Sequence, residues 1–277
     1  MPLVSVIIPT YNRASVLPRA VKSVLEQTFR DFELLVVDDG SDDSTADILG
    51  SFEGRLKPLF QKNRGVAAAR NLGIKSSTGP FLAFLDSDDE WLPKKLDRQT
   101  DLIDAANPNF VCHTDEIWLR NGIELPQKGI HRKQGGRFFP RALERCLISP
   151  SSVMVSRMLL DRVGWFDESL PAAEDYDLWL RITAFHDVDY VPERLVIKHG
   201  GREDQLSVLT PAIDRFRISA ILKILENASL CNDYREAAIR ELIRKCNVVA
   251  SGCMKRGKKE EAETYIETAL RYQNHSF

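Results

Sequence analysis

The chain has 277 residues, of which 43% are hydrophobic and 28% charged, and 38 basic residues nearly balance 40 acidic ones for a net charge of −2. This composition excludes a collagen-like chain, an intrinsically disordered chain and a disulfide scaffold. The near-neutral charge excludes a global electrostatic field that would favour nucleic acid or an anionic membrane.

The five cysteines are widely spaced and include no CxxC pair. They therefore predict neither a zinc site nor a disulfide framework, and we interpret them as reduced thiols of a cytoplasmic protein. No stretch approaches the roughly 18 consecutive apolar residues that a membrane-spanning helix needs. The short apolar run at the N-terminus also lacks the features of a signal peptide.

Along the first 100 residues, strand and helix patterns alternate. Short apolar or β-branched runs predict strands at 4–8, 33–37, 56–61 and 81–85. Segments with one apolar face predict helices at about 17–25, 45–52 and 66–75. This order predicts a parallel sheet with right-handed helical crossovers.

The middle of the chain is mixed and its end is helical. Strands are predicted at 110–114, 117–120, 151–155, 188–192 and 195–198, and a helix at 174–185. From residue 211 the apolar residues keep helical spacing, so we predict an α/β domain at 1–210 and a helical extension at 211–277. One segment of the extension, RGKKEEAETYIETAL, is similar to a single tetratricopeptide helix. One such unit cannot bury its own apolar face, so we interpret the extension as a cap that could also dock a protein partner.

Polar residues follow three of the predicted strands, at 9–12 (PTYN), 38–41 (DDGS) and 86–89 (DSDD). Ligands of parallel sheets bind beyond the carboxyl ends of the strands, so these residues are candidates for one site. Each segment alone could be a turn or a helix cap. Several carboxylates together, however, need a counter-charge, which a divalent cation with phosphate oxygens in its shell would supply.

Five motifs occur in the order VSVIIPTYNR, VVDDGSDDST, NRGVAAARN, FLDSDDEWLP and AEDYDLWLR. This set, within about residues 3–200, resembles that of inverting family 2 glycosyltransferases. The resemblance implies the GT-A fold, a Rossmann-like, mostly parallel central sheet flanked by helices. It also implies transfer of one sugar from a nucleotide-sugar, a UDP-sugar by the residues present, to a hydroxyl acceptor.

The resemblance assigns five residues to the donor nucleotide. Thr10 and Tyr11 resemble the pair that holds the base, with the Tyr11 ring stacked on it, and Asp39 resembles the acceptor of a hydrogen bond from uracil. These types suit their roles, because a flat base offers an aromatic face and its imide N–H needs an acceptor. Arg70 matches a basic residue near the base and phosphates. Asp86, the first aspartate of the DxD motif, matches a residue near the ribose.

Three further residues match the chemical machinery of that family. Asp88, the second DxD aspartate, matches a ligand of Mn²⁺ or Mg²⁺, and Asp175 matches the catalytic base. His199 follows a predicted strand and is a candidate second metal ligand, although a structural role for this histidine is open. Asp175 could likewise serve only the dipole of the helix in whose first turn it is predicted to lie.

The acceptor implied by the resemblance is a cell-surface glycan or its lipid-linked precursor, handled in the cytoplasm or in peripheral contact with the inner face of the membrane. Nucleic acid is not an expected partner. Two alternatives stay open: a degenerate, non-catalytic domain that binds nucleotide-sugars or a partner protein, and a sugar nucleotidyltransferase. The second is disfavoured, because the loop after the first strand, PTYNRAS, lacks the glycines that bind a triphosphate.

Overall fold

The computed structural model describes residues 1–201, 210 and 212–274. The chain folds into two compact units, which we call the sheet unit and the helical unit. The sheet unit comprises Met1–Gly136, Leu147–Pro171 and the described residues from Asp187 to Gly201. The helical unit comprises Arg137–Cys146, Ala172–His186 and the described residues from Thr210 onward. The domain boundary predicted between residues 210 and 211 stays a prediction, and Pro211 lies outside the described residues.

In the described part of the chain, the sheet unit is built on one mixed β-sheet. Its nine strands are β1 (Val4–Thr10), β2 (Phe32–Asp38), β3 (Lys57–Phe60), β4 (Phe81–Phe84), β5 (Glu90–Trp91), β6 (Val111–Arg120), β7 (Ile123–Glu124), β8 (Val153–Ser156) and β9 (Asp189–Gly200). The strand order is β3-β2-β1-β4-β8-β6-β9-β5, and β7 pairs with β6 beside this path. Strands β1 to β4 pair in parallel, β8 is antiparallel to both of its neighbours, and β9 is parallel to β6.

Helices flank the sheet or form the helical unit. Those of the described residues are α1 (Leu17–Leu25), α2 (Thr45–Gly50), α3 (Val66–Ser76), α4 (Lys95–Thr100), α5 (Phe139–Glu144), α6 (Arg157–Val163), α7 (Glu174–Thr183), α8 (Asp214–Leu225), α9 (Asn232–Lys255) and α10 (Lys259–Asn274). Short 3₁₀ turns lie at Gly129–His131 and Pro150–Ser152. Throughout these residues, no helix combines the length and apolar character needed to cross a bilayer.

Strand β1 lies at the centre of the core. All seven of its residues are buried, as expected for a strand covered on both faces, where apolar residues do not alternate with polar ones. Leu17 and Val21 of α1 pack into the same core, and burying each such side chain contributes about 1.5–3 kcal/mol. Helix α3 approaches β1 so closely that a Cβ at Gly73 would lie 2.5 Å from Cγ2 of Ile7. The core therefore holds the carboxyl end of β1 in a fixed place.

Within the helical unit, α7 packs against α5 and α8, and α9 packs against α5, α8 and α10. The hydroxyl of Tyr176 in α7 donates a hydrogen bond of 2.6 Å to the carbonyl of Leu143 in α5. In α9, Leu242, Cys246 and Val249 are buried at helical spacing, which agrees with the apolar pattern of the sequence. Helix α7 is therefore held by two neighbouring helices of its own unit.

The structure joins two pairs of strands that the sequence separated. The segments predicted at 110–114 and 117–120 form the single strand β6, and those predicted at 188–192 and 195–198 form β9. The register between β6 and β9 shifts at Thr114–Asp115 and again at Asp115–Glu116. Each irregularity interrupts the apolar alternation within a strand, which explains why the sequence suggested two shorter ones.

Candidate functional site

Three predicted segments meet at one edge of the sheet. Strand β1 lies between β2 and β4 and is parallel to both, with Thr10 opposite Asp38 and Ile7 opposite Phe84. Strands are added on one side of β1 as far as β3 and then on its other side at β4. This reversal is a topological switch point, where open α/β sheets bind ligands. The strand order therefore brings the three polar segments to one edge of the sheet, as the sequence predicted.

The loops after β1 and β2 are tied to each other. The amide N–H of Asp39 donates to the carbonyl of Thr10 at 2.9 Å. The N–H of Asn12 donates to the Ser41 hydroxyl at 2.8 Å, and the N–H of Asp42 donates to the Asn12 side-chain oxygen at 2.9 Å. Asn12 adopts a left-handed backbone with φ of 52°, which asparagine tolerates better than most residues. These bonds give the edge a defined shape before any ligand binds.

Thr10 and Tyr11 occupy complementary positions in this loop. The Thr10 hydroxyl is buried and has no hydrogen-bond partner among the described residues. Such a group is costly to leave unsatisfied, so it marks a place where a ligand or water would bond. Tyr11 follows it and is 46% exposed, which leaves its ring accessible for stacking. The pair can therefore supply a polar contact and an aromatic face to the same molecule.

Asp39 is buried and fixes the loop that leads into α3. Its Oδ1 accepts hydrogen bonds from Gln61 Nε2 at 2.6 Å and from the Arg64 N–H at 2.9 Å, and its Oδ2 accepts one from the Gly65 N–H at 2.8 Å. An ionised carboxylate offers about four acceptor positions, so these three donors leave one for a ligand donor. The sequence predicted that Asp39 binds the nucleotide base, but it did not predict that Asp39 also holds the loop before α3.

Arg70 and Asp86 form a partly buried ion pair, with 2.7 Å between Nη2 and Oδ1. The guanidinium group of Arg70 also lies over the Phe166 ring, 5.1 Å from its centre. The sequence assigned both residues to the donor without linking them. Their pairing means that one negative charge of the DxD motif is already balanced by the protein.

The loop from Asp86 to Glu90 rests on side chains from distant parts of the chain. The Ser151 hydroxyl accepts a bond of 3.1 Å from the Asp86 N–H and donates one of 2.6 Å to Asp89 Oδ2. Lys198 Nζ lies 3.7 Å from the same Asp89 oxygen. Burial opposes the charge on Lys198, but Asp89 and the other nearby carboxylates outweigh it and raise the pKa of this lysine. Asp89 therefore supports the loop and does not cap α4, whose N-cap is Lys94.

Asp88 and His199 lie in the same polar region. Arg19 Nη2 donates a bond of 2.6 Å to the backbone carbonyl of Asp88, and His199 Nε2 lies 3.4 Å from Glu90 Oε2. Burial and the charge of Arg19 lower the pKa of His199, which favours the neutral imidazole that can bind a metal. His199 lies inside β9, so the prediction that it follows a strand was wrong. Within the described residues, no three His, Cys, Asp or Glu side chains form a metal cluster.

Asp175 belongs to the helical unit, whereas the other seven predicted site residues belong to the sheet unit. It lies in the first turn of α7, as the sequence predicted. Its Oδ1 accepts a bond of 2.7 Å from the Tyr176 N–H, and the Cys146 thiol donates to its Oδ2 at 3.4 Å. These two donors fix the orientation of the carboxylate at the start of the helix.

The sequence missed four supporting residues of the sheet unit: Arg19, Gln61, Ser151 and Lys198. None of them belongs to a strand-end acidic motif, and each acts through a partner far away in the chain. A polar residue in an apolar setting is the signal that could have pointed to Ser151 and Lys198. Their partners could not be named without the sheet order.

The sequence model of the family described as Glycosyl transferase family 2 matches residues 5–164, which are more than half of the chain. The uncharacterized glycosyltransferase RP339 of Rickettsia prowazekii is 32% identical over 202 residues, which cover 70% of this chain and 63% of that relative. WfgD of Escherichia coli, a UDP-Glc:alpha-D-GlcNAc-diphosphoundecaprenol beta-1,3-glucosyltransferase, is 37% identical over 186 residues, or 65% of this chain and 69% of that relative.

A solved structure shares the fold. Residues 1–349 of S. aureus TarS in complex with UDP superpose with a TM-score of 0.65 and 25% identity, covering 89% of this chain and 71% of that one. The predicted α/β class with helices at the C-terminal end is confirmed. From the match across residues 5–164 and the shared architecture, the chain belongs to glycosyl transferase family 2 and has the GT-A fold.

Proposed function

We propose that the protein transfers one sugar from a UDP-sugar to a hydroxyl acceptor by inverting single displacement. The observation that carries this proposal is the grouping of Thr10, Tyr11, Asp39 and the DxD loop at the switch point of the sheet. The family membership supports a glycosyltransferase activity. The WfgD relative, which acts on a diphosphoundecaprenol-linked acceptor, supports a role in cell-surface glycan synthesis. The inner face of the membrane is the location that we propose for this role.

The donor nucleotide would use the residues at the ends of β1 and β2. The exposed Tyr11 ring stacks on the base, and the remaining acceptor position of Asp39 receives the imide N–H of uracil. The unbonded Thr10 hydroxyl forms a hydrogen bond to the same nucleotide. Arg70 acts through Asp86, whose carboxylate it holds in place for the ribose. Thymine presents the same edge as uracil, so the base preference is for this pair.

A divalent cation fits the donor set at the DxD loop only together with the substrate. Asp88 offers carboxylate oxygens, and His199 offers an imidazole that interacts electrostatically with Asp88. Two protein donors do not enclose an ion, but diphosphate oxygens complete the shell in sites of this kind. Asp88 and His199 would therefore hold Mn²⁺ or Mg²⁺. The bound ion would stabilise, as a Lewis acid, the negative charge of the leaving diphosphate.

Asp175 is proposed as the base. Its ionised carboxylate takes the proton of the acceptor hydroxyl while that oxygen forms a bond to the anomeric carbon. The bond from this carbon to the diphosphate breaks on the opposite face, which inverts the configuration. The hydrogen bonds from Tyr176 and Cys146 orient the carboxylate for this proton transfer. A positioned base of this kind contributes about 10²–10⁴-fold to the rate.

Thermal unfolding with UDP, TDP, GDP and CMP, each with Mn²⁺ and with EDTA, tests the donor site. A nucleotide at about 100 times its dissociation constant adds about 2.7 kcal/mol, which raises the unfolding midpoint by about 5–10 °C for a chain of this size. We expect the shift with UDP or TDP, and we expect EDTA to reduce it.

The variant Asp88→Asn should lose the Mn²⁺-dependent part of the shift, whereas Asp31→Asn, a change of an exposed aspartate in the same unit, should retain it. A full Mn²⁺-dependent shift in Asp88→Asn would refute the assignment of this ligand. No shift with any nucleotide would refute the donor site and favour a non-catalytic domain.

A further inference from the structure

A hairpin of the sheet unit exposes apolar side chains that the proposed chemistry does not use. We define the exposed hairpin as residues 118–132, which contain the end of β6, β7 and the 3₁₀ turn Gly129–His131. Ile123 is 69% exposed, Leu125 40% and Ile130 52%. Three large aliphatic side chains exposed within so short a segment indicate an interaction surface, since single ones scattered over a surface need no explanation.

The register of the hairpin places four of its residues on one face. Arg120 pairs with Ile123 in the antiparallel ladder, and the Leu125 N–H donates to the carbonyl of Trp118 at 2.8 Å, which extends this pairing by one step. Opposite residues of an antiparallel pair, and residues two apart in one strand, share a face. Trp118, Arg120, Ile123 and Leu125 therefore form one surface.

The turn after β7 is drawn toward that surface. The rings of Trp118 and His131 lie 5.1 Å apart, and Trp118 Nε1 donates to Glu116 Oε2 at 3.0 Å. Glu116 is buried, so the indole is anchored at its polar end while the ring stays partly exposed. The contact between His131 and this ring holds the turn Gly129–His131, which includes Ile130, beside Trp118.

The charge of the exposed hairpin is positive although the whole chain is slightly acidic. Residues 118–132 contain the cations Arg120, Lys128 and Arg132 and a single carboxylate, Glu124. Glu124 pairs with Leu119 in the ladder and so lies on the opposite face, where Arg194 forms an ion pair with it. The apolar face therefore lies in a segment of net positive charge, and the one carboxylate of that segment, Glu124, forms an ion pair on the other face.

We propose that the exposed hairpin docks the protein on the surface of an anionic lipid bilayer. Aliphatic side chains that enter the boundary between headgroups and acyl chains, a tryptophan with an apolar ring and a polar tip, and neighbouring cations are the features of an interfacial membrane contact. Anionic headgroups complement the three cations, and each exposed Lys or Arg near such a surface adds to the attraction.

The hairpin is connected to the strands that carry residues of the proposed site. Strand β6 continues into the hairpin and pairs with β9, with Trp118 opposite Lys198 and Leu119 opposite His199. The docking face is thus continuous with the face that carries Lys198, which contacts Asp89 of the DxD loop, whereas His199 lies on the other face of the strand pair. An acceptor anchored in the same bilayer would be presented near the donor site, a consequence that rests on the proposed function, whereas the docking itself does not.

Co-sedimentation of the full chain with vesicles tests the proposal. We expect binding to vesicles of phosphatidylcholine with phosphatidylglycerol, weaker binding to phosphatidylcholine alone, and a loss of binding at high salt. The double variant Ile123→Asn, Leu125→Asn should bind at least about tenfold more weakly. Lys128→Glu should weaken binding mainly at low salt. The matched control Met158→Asn changes a residue that is 56% exposed on α6 and should bind like the unchanged protein.

Thermal unfolding and the UDP-induced shift of each variant are measured in parallel, without lipid. Equal vesicle binding by the double variant and by the unchanged protein would overturn the proposal, as would no binding of the unchanged protein to anionic vesicles. Self-association in size-exclusion chromatography that the double variant abolishes, without vesicle binding, would assign the face to a second copy and would also overturn it. Loss of the UDP shift in the unchanged protein would overturn only the proposed function.

Discussion

Some residues of the site hold a loop in place and are also proposed to bind the ligand. Asp39 binds three donors that shape the start of α3 while it keeps an acceptor position for a ligand. Asp86 is balanced by Arg70, and its backbone is held by Ser151. Substitution of these residues would therefore change loop structure together with ligand binding. Asp175, the base that we propose, lies outside this network, so its substitution can test the chemical step separately.

The variant Asp175→Asn keeps the size of the side chain but can no longer accept the proton of the acceptor hydroxyl. We expect transfer, measured as release of UDP from the donor in the presence of acceptor, to fall at least about a hundredfold. The UDP-induced rise of the unfolding midpoint should be unchanged, because the donor contacts we propose belong to the sheet unit.

Asp233 provides the matched control for this prediction. It is an exposed acid in the first turn of α9, so Asp233→Asn removes the same kind of interaction with a helix dipole in the same unit. Transfer by this variant should be close to that of the unchanged protein. Near-normal transfer by Asp175→Asn would show that the base lies elsewhere.

At the scale of secondary-structure elements, one arginine links α6 to the end of α3. Arg157, the first residue of α6, donates to the carbonyls of Ile74 at 2.9 Å, Ser77 at 3.2 Å and Gly79 at 3.0 Å. A positive charge is favourable at the C-terminus of a helix, where carbonyls lack intrahelical partners. The sequence predicted α3 but neither α6 nor this contact, which joins two helices on different strand connections.

Arg157→Met should reduce the free energy of unfolding by about 2–3 kcal/mol, because it leaves several carbonyls at the end of α3 without a charged donor. Urea unfolding measures the change. Arg162→Met on the same helix removes an exposed arginine whose Nη1 donates a hydrogen bond of 2.7 Å to Asn109 Oδ1. This control should change the free energy by no more than about 0.5 kcal/mol. Equal effects of the two variants would contradict the role of Arg157.

The elements that the sequence identified best are those with an uninterrupted pattern. Strand β1 and helix α7 lie where their apolar residues predicted them, because each has one environment along its length. Strands β6 and β9 were predicted in pieces, because their shared register shifts mix apolar and polar positions. The apolar pattern around β7 is too short to be recognised before its pairing with β6 is known.

At the scale of the whole molecule, buried titratable groups make the free energy of unfolding depend on pH. His113 is buried in β6, and burial, together with the nearby charge of Lys133, lowers its pKa to about 3. Burial opposes the charge on Glu116 as well, but Lys133 outweighs it at 2.9 Å and lowers the pKa of Glu116 to about 2. Both groups therefore bind protons more readily in the unfolded chain than in the folded protein.

We expect His113 and Glu116 to lower the free energy of unfolding as pH decreases. The contribution of His113 is complete above pH 6.5, the ordinary histidine value, and is lost progressively between pH 6.5 and 3. The contribution of Glu116 is lost below pH 4.5. Each group adds a slope of at most about 1.4 kcal/mol per pH unit.

Urea unfolding at a series of pH values measures this dependence. The variant His113→Gln should flatten the slope between pH 6.5 and 4.5, even if it lowers the overall stability. An unchanged slope in this variant would show that other groups cause the acid sensitivity.

By itself, the sequence determined the α/β class, the helical end and the three strand ends that carry Tyr11, Asp39 and Asp88. Apolar periodicity is local, and parallel pairing necessarily brings carboxyl ends to one edge. Only the tertiary structure decided that Ser151 and Lys198 support the DxD loop. It also decided that Arg70 balances Asp86 and that one hairpin face is both apolar and basic. These contacts depend on which strands are neighbours, and neighbours are chosen by the packing of the whole sheet rather than by any one segment.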